Sequence, residues 1–499
     1  MGLEAELKFH IPHRGLKQVE HGQLPGTKRG CPAEADLLST YFDTPRHKLK
    51  KHGLSLRVRQ DKETYIQTVK SETDGQFGRG EWETLLESGT PDLTKLNGSP
   101  LEALSSKKLK QKLKPIFKTS VHRVTLPIER KGSEIELAID RGKIMVGHRS
   151  EPIDEVEIEL KRGKPQDLFQ TADALARRTE AELYLRSKAE RGYDLADGQV
   201  NPVSFAAPIK LDKRMDASDA FRIVARSAIR HFVGNADAVR DHNPEGIHEM
   251  RVGLRRLRAA ISLFSKLLPK SSTENVKREL KWLTGELAAA RELDVFLNQT
   301  IRPAARDVIP RRGIAAVKQE FTRRRAEAFE QASSAIDSRR FRTLLLDVLE
   351  WVEMAHHGSS GHTPIRKFAA KLLVRRIRKI QKDGKQLEDL SARARHRLRI
   401  RIKKVRYAAR FFESLFNSRG QRKRLAQLEK HSKRLQDALG AVNDYLAHRE
   451  MALDAALNAP PHNRRARAFA SGVLVGREDQ AARPLLRAAR KRVSRLRAL

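Results

Sequence analysis

Glu4, Glu6 and Lys8 occupy alternate positions of the stretch Leu3 to Phe9, with apolar residues between them. Successive side chains of a β-strand leave opposite faces, so two carboxylates and an ammonium would share one face. Carboxylates hold hard divalent cations through oxygen, and lysine and arginine clamp phosphoryl oxygens. One such face is the ordinary wetted side of an antiparallel sheet. The pattern returns, however, at Leu54 to Arg59, where Arg57 and Arg59 alternate with Leu56 and Val58. It returns again at Tyr65 to Lys70, Glu81-Trp82-Glu83, Thr119 to Arg123, Glu134 to Asp140 and Glu155 to Lys161. If such a sheet closes, one charged face lies inside, and its cost is offset only when the two signs pair with each other, with metal or with an anion. The chemistry this suits is binding of a polyphosphate.

The ordered series Glu4-x-Glu6-x-Lys8, Tyr41-Phe42-Asp43-Thr44, Leu56-Arg57-x-Arg59, Gln67-Thr68-Val69-Lys70, Glu81-Trp82-Glu83, Asp140-x-Gly142, Glu157-x-Glu159 and Ser187 to Tyr193 resembles the CYTH family of triphosphate tunnel enzymes. The resemblance covers about 190 residues. It implies a closed antiparallel β-tunnel with flanking helices that binds triphosphates with Mg²⁺ or Mn²⁺. Carried over residue by residue, Glu4, Glu6, Glu157 and Glu159 would hold the metal. Lys8, Arg57, Arg59, Lys70, Arg123 and Lys188 would hold phosphates, with Glu83 and Asp140 as further tunnel acids. Arg191 and Lys143 stay open between phosphate contact and ion-pair partner, and no residue is assigned as the base that activates water.

The elements around these strands read as structure. His10, His13, His47 and His52 lack metal-ligand spacing. Trp82 is expected outside the tunnel, Leu168 to Leu185 as an amphipathic helix against it, and Lys107 to Lys118 as a solvated helix or loop. Cys31 is the only cysteine, so no intrachain disulfide forms. No segment approaches the roughly 20 apolar residues of a membrane span. A cytoplasmic protein without a membrane partner is the expectation.

Charge is unevenly spread over the 499 residues. The first 205 carry 35 Lys and Arg against 31 Asp and Glu, whereas the rest carry 65 against 31. Such a cationic half calls for a polyanionic partner. Domain 1–200 is followed by an aperiodic linker at 201–215, and 216–499 reads as helical, in repeat units at about 216–357 and 364–499. Ile247, Met250, Leu254, Leu257, Ile261, Phe264 and Leu268 form an apolar stripe, and His248, Arg251, Arg255 and Arg258 a basic ridge beside it. At an offset of 148 residues Leu398, Ile402, Val405, Ala409, Phe412 and Phe416 repeat the stripe, and His396, Arg399, Lys403 and Arg406 the ridge. Arg256 answers Lys404, and Leu287-Ala288 answers Leu439-Gly440.

This duplicated pattern resembles the CHAD domain, which implies an all-α domain of two four-helix halves that binds inorganic polyphosphate in a basic groove. The ridge residues His248, Arg251, Arg255, Arg256, Arg258, His396, Arg399, Lys403, Lys404 and Arg406 would be the contacts. Nucleic acid is the less favoured partner, because few aromatics interleave the ridges to stack bases. The two resemblances together describe a two-domain α+β chain similar to bacterial CYTH-CHAD inorganic triphosphatases. They imply metal-dependent hydrolysis of inorganic triphosphate to pyrophosphate and phosphate, with association to polyphosphate granules. A polyphosphate-binding adaptor and a hydrolase of thiamine triphosphate are the alternatives.

Overall fold

A computed structural model describes residues 5–71, 80–96, 98–307, 311–354, 362–384 and 390–477; Glu4 lies outside the described residues. The chain divides into two compact units. One comprises Met1–Ser204, Val233–Asp237 and Asp337–Ala355, and the other Phe205–Phe232, Ala238–Ile336 and His356–Leu499.

The first unit is built on strands β1 (Ala5–His10), β2 (Lys28–Arg29), β3 (Ala33–Asp43), β4 (Leu54–Asp61), β5 (Thr64–Ser71), β6 (Gly80–Leu86), β7 (Lys114–Arg130), β8 (Ser133–Val146), β9 (Arg149–Arg162) and β10 (Glu182–Leu183). Their order is β10-β1-β9-β8-β7-β3-β4-β5-β6, with β2 against β7. The expected tunnel is thus a curled sheet whose hydrogen-bonded path, among the described residues, ends at β10 and β6.

Register decides which side chains share a face. Glu6 lies opposite Glu159 and Lys8 opposite Glu157. Glu136 lies opposite Glu159 and Asp140 opposite Glu155, and Arg123 opposite Asp140. Arg57 faces Thr68, while Thr68 and Lys70 face Glu83 and Glu81. Directly opposed residues project to one side, so the alternation in the sequence collects these charges on a single face.

The reverse face is apolar. Leu7, Phe9, Leu137, Ile139, Val156 and Ile158 are buried, and β9 is covered by the helices His13–His21 and Pro165–Arg178. The second of these is shorter than the expected Leu168 to Leu185: the chain turns extended at Thr179, and β10 pairs with Phe9 and His10 of β1. Over β4 and β5 the same face forms a cluster with Leu93, Leu96, Leu101 and Leu109, against which Trp82 packs, off the charged face as expected. The Lys107–Lys112 helix is followed directly by β7, which begins at Lys114. The Arg339–Met354 helix also belongs to this unit and packs on the Pro165–Arg178 helix and β10.

The helical region shows the duplication in its boundaries. Helices Pro244–Leu263 and Ala392–Phe411 have the same length and the same 148-residue offset, with N-caps Asn243 and Ser391 at that offset too. Each cap side chain accepts backbone N–H groups of the first turn. The first helices of the two copies, Ala217–Val233 and Ile365–Gly384, start at the same offset, and the first copy inserts a short helix, Ala236–Arg240, before Pro244–Leu263. Both apolar stripes are buried. Phe264 and Phe412, equivalent residues of the two copies, meet edge to face with ring centroids 5.9 Å apart. Contact between equivalent positions is what a two-fold-like relation of the copies produces. The third helices differ: Arg419–Leu457 is continuous, whereas the first copy ends at Glu286 and resumes at Ala288.

Candidate active site

Lys188 reaches the charged face from the helix Lys188–Ala196. A capping box starts this helix: Ser187 Oγ accepts the Glu190 N–H, and the Glu190 carboxylate accepts the Ser187 N–H. Gly192 lets the helix lie on β7, since a Cβ there would stand 2.2 Å from the Phe117 ring. Beneath it Tyr41, Phe117, Val121, Ile144, Ile153 and Tyr193 form an apolar cluster. Tyr193 donates from its hydroxyl to Asp43 (2.9 Å), and the buried Asp43 carboxylate also accepts the N–H groups of Thr44, Leu49 and Lys50. Asp43 therefore anchors loop and helix and makes no contact with the charged cluster through these bonds.

Carboxylate oxygens of Asp140, Glu155 and Glu157 lie within 4.8 Å of one another. Three like charges this close require cations between them. Lys188 Nζ supplies one, at 2.8 Å from Asp140, 2.6 Å from Glu155 and 3.0 Å from Glu157. Arg123 donates in bidentate fashion to Asp140 and through Nη2 to Glu157 (2.8 Å). Burial alone would lower the Lys188 pKa, but Asp140, Glu155 and Glu157 reverse this and hold it well above the usual lysine range. Arg123 is raised in the same way by Asp140 and Glu157. Burial opposes ionisation of Glu157, yet Lys188, Arg123 and Lys8 keep it well below the carboxylate range. Glu155 is likewise held down, to about 2, against burial by Lys188, Lys8 and Arg191.

Toward the end of the sheet, Glu159 contacts Lys161 at 2.7 Å, and Lys161 reaches Glu136 at 3.3 Å. On the opposite flank, Lys70 and Arg57 contact Glu81 at 2.8 and 3.3 Å, and Glu83 accepts from Thr68. Arg59 is lowered to about 10 by burial and then by Arg57 and Arg123. Arg57, Arg59 and Arg123 thus crowd together, with Glu83 partly offsetting them.

Apart from Glu4, every tunnel residue named from the sequence is described, and Glu6, Lys8, Arg57, Arg59, Lys70, Glu83, Arg123, Asp140, Glu157, Glu159 and Lys188 lie on or over this face. Glu155, Glu81 and Glu136, which keep the alternation but to which the sequence assigns no role, join them. Their signal was parity, since each keeps the alternation of Glu157 or Glu83 or lies opposite Glu159. Arg191 is an ion-pair partner of Glu151 and Glu155, both at 2.6 Å. Lys143 is exposed and has the opposite parity to Asp140.

In the helical region both ridges use one device. Arg258 donates to the Thr284 hydroxyl and Arg406 to the Gln436 amide oxygen, and Arg251 donates to the Thr284 carbonyl. Arg251 is lowered to about 10 by burial, then by Arg255 and Arg291. His248 lies 3.6 Å from Glu249, and its pKa is lowered by burial and by Arg291. Lys404 is lowered by burial and by Arg376, Arg258, Lys277 and Arg401, so cations of both copies converge there. Arg399 passes over Gly440, where a Cβ would lie 3.5 Å from its guanidinium. Arg256 differs from the rest of its ridge: it is buried, donating to Ser227 and 3.2 Å from His231.

Residues 2–193 match the CYTH domain model and residues 223–453 the CHAD domain model. An inorganic triphosphatase from Haemophilus influenzae is 38% identical over 166 residues, which are 32% of this chain and 46% of that protein; the match thus spans about half the length of this curated relative. The CHAD domain from the plant Ricinus communis is 29% identical, with a TM-score of 0.51 over 60% of this chain and 98% of that one. A structure described as a putative adenylate cyclase from Bacillus halodurans is 20% identical, with a TM-score of 0.27 over 38% of this chain and 96% of that one. No helix among the described residues is long and apolar enough to cross a membrane.

Proposed function

Because the chain joins a CYTH domain to a CHAD domain, we propose that it hydrolyses inorganic triphosphate to pyrophosphate and phosphate with a divalent cation, and that its helical half binds inorganic polyphosphate. One observation carries the catalytic reading: the acids and the cations expected to hold phosphate lie on one face of one sheet. The name of the Haemophilus relative supports the substrate.

The donor set fits a hard cation, since Glu6 faces Glu159 and Glu159 faces Glu136, all oxygen donors. Lys161, resting on Glu159 and Glu136, takes the place of positive charge there. Glu6, Glu157 and Glu159, with Glu4, would hold Mg²⁺ or Mn²⁺, which when bound neutralises phosphate charge. Arg57, Arg59 and Lys70 would grip one end of the triphosphate, and Lys8, Arg123 and Lys188 the other, exchanging carboxylate for phosphate partners. The cations are already ordered by their acids, so little is lost in positioning them.

The test uses the purified full chain with tripolyphosphate and Mg²⁺ or Mn²⁺. Glu6→Gln and Glu159→Gln are each expected to lower phosphate release roughly a hundredfold, the scale of losing one preorganised charge, with circular dichroism unchanged. Full activity in both overturns the reading. Binding without turnover in the unmodified chain would leave the adaptor reading, and a preference for thiamine triphosphate the organic-substrate one. For the helical half, Arg251→Glu and Arg399→Glu are expected to release the chain from a polyphosphate column at lower salt while tripolyphosphate hydrolysis stays constant.

A further inference from the structure

Lys8 is enclosed by a cycle of contacts that the sequence does not announce. Its ammonium lies 5.4 Å from the centroid of the Tyr184 ring, and the Arg191 guanidinium lies 5.7 Å from the same centroid. Arg191 Nη1 donates to Glu155 Oε1 (2.6 Å), and that oxygen lies 3.8 Å from Lys8 Nζ, which closes the cycle. The Tyr184 N–H donates to the Lys8 carbonyl (2.8 Å), and the Lys8 ammonium donates to the Arg186 carbonyl. The other oxygen of Glu155, Oε2, lies 2.6 Å from Lys188 Nζ. A single carboxylate with 0% side-chain exposure therefore spans both lysines that face Glu157.

Full burial separates Glu155 from solvent, whereas the side chains of Glu157 and Glu159 are each 20% exposed. All three stand on β9 with one parity, and the first has Arg191 and Lys188 each at 2.6 Å and Lys8 at 3.8 Å. A ring held against two cations, and a carboxylate shared among three, restrict where an ammonium can sit. We infer that Glu155 and Tyr184 are positioning residues that fix where the Lys8 and Lys188 ammonium groups sit beside Glu157, and that Glu155 is not a metal ligand. The inference rests on the proposed phosphate-binding reading of those two lysines.

The experiment compares Glu155→Gln, Tyr184→Leu and Tyr184→Phe with the unmodified full chain, measuring kcat, the half-saturating Mn²⁺ concentration, and tripolyphosphate affinity in EDTA by calorimetry. Glu155→Gln is expected to lower kcat about tenfold or more while half-saturation by Mn²⁺ stays within about twofold. Tyr184→Leu is expected to weaken metal-free tripolyphosphate binding about fivefold, and Tyr184→Phe, which keeps the ring, to restore it. A tenfold rise in half-saturating Mn²⁺ for Glu155→Gln would make Glu155 a ligand and overturn the inference, as would an unchanged kcat. If Glu155→Gln does not fold, the tyrosine pair decides: equal affinity in Leu and Phe variants overturns the role of the ring. An unmodified chain that releases no phosphate sinks the hydrolytic reading by itself, and the metal-free affinities still judge the positioning.

Discussion

Replacing Asp43 by Asn would remove acceptor capacity from a carboxylate that serves three backbone N–H groups and the Tyr193 hydroxyl in a site with no exposure. At least one buried donor is then orphaned, at a cost of about 2–3 kcal/mol. Urea denaturation of Asp43→Asn should show that loss, and folded protein should keep its affinity for tripolyphosphate. The conspicuous Tyr41-Phe42-Asp43-Thr44 motif is thus legible in the sequence as a marker, but its role is not, because the partner hydroxyl comes from residue 193. Glu155 shows the converse. Its place on the charged face follows from alternation alone, whereas its cations come from β1 and from the helix at Lys188, and strand order decides that meeting.

Helices and strands make their own demands. A methyl group at Gly192 would overlap the Phe117 ring, so Gly192→Ala should push the Lys188–Ala196 helix off β7 and cost about 1–3 kcal/mol. Because Lys188 opens that helix, kcat should fall with stability, and thermal melting beside kinetics checks both. The Arg339–Met354 helix carries the opposite opportunity. Burial, then Asp347 and Asp173, raise the pKa of Glu350. A carboxyl group whose folded pKa is raised weakens the fold as pH climbs from its unfolded value through the folded one. Glu350→Gln should therefore stabilise the protein modestly near neutrality, with solvent screening limiting the gain, and the difference should vanish below about pH 4. Denaturation series at several pH values would reveal it. Periodicity located the duplicated helices Pro244–Leu263 and Ala392–Phe411 through stripe and ridge, although the apolar stripes run on past their ends to Leu268 and Phe416. It could not tell that Arg256, one position round from the ridge, turns inward to Ser227 and His231.

On the scale of the molecule, the sheet unit is not contained in its own stretch of sequence. Arg339–Met354 contributes Leu345, Val348, Leu349 and Val352, all buried, to a unit whose strands end at Leu183. A fragment of residues 1–204 lacks that cover over the Pro165–Arg178 helix. It should melt about 2–8 °C below the corresponding transition of the full chain, given roughly 1–2 kcal/mol of lost packing, and should bind a dye for exposed apolar surface. Equal melting would mean the helix is dispensable. The same feature sets a schedule for synthesis. Met354 follows Arg178 by about 175 residues, so at ~5–20 residues per second a nascent sheet waits roughly 10–35 s for its last helix. During that interval its apolar docking face is open to chaperones or to another nascent chain, and codon changes that slow translation between residues 205 and 336 would lengthen the exposure.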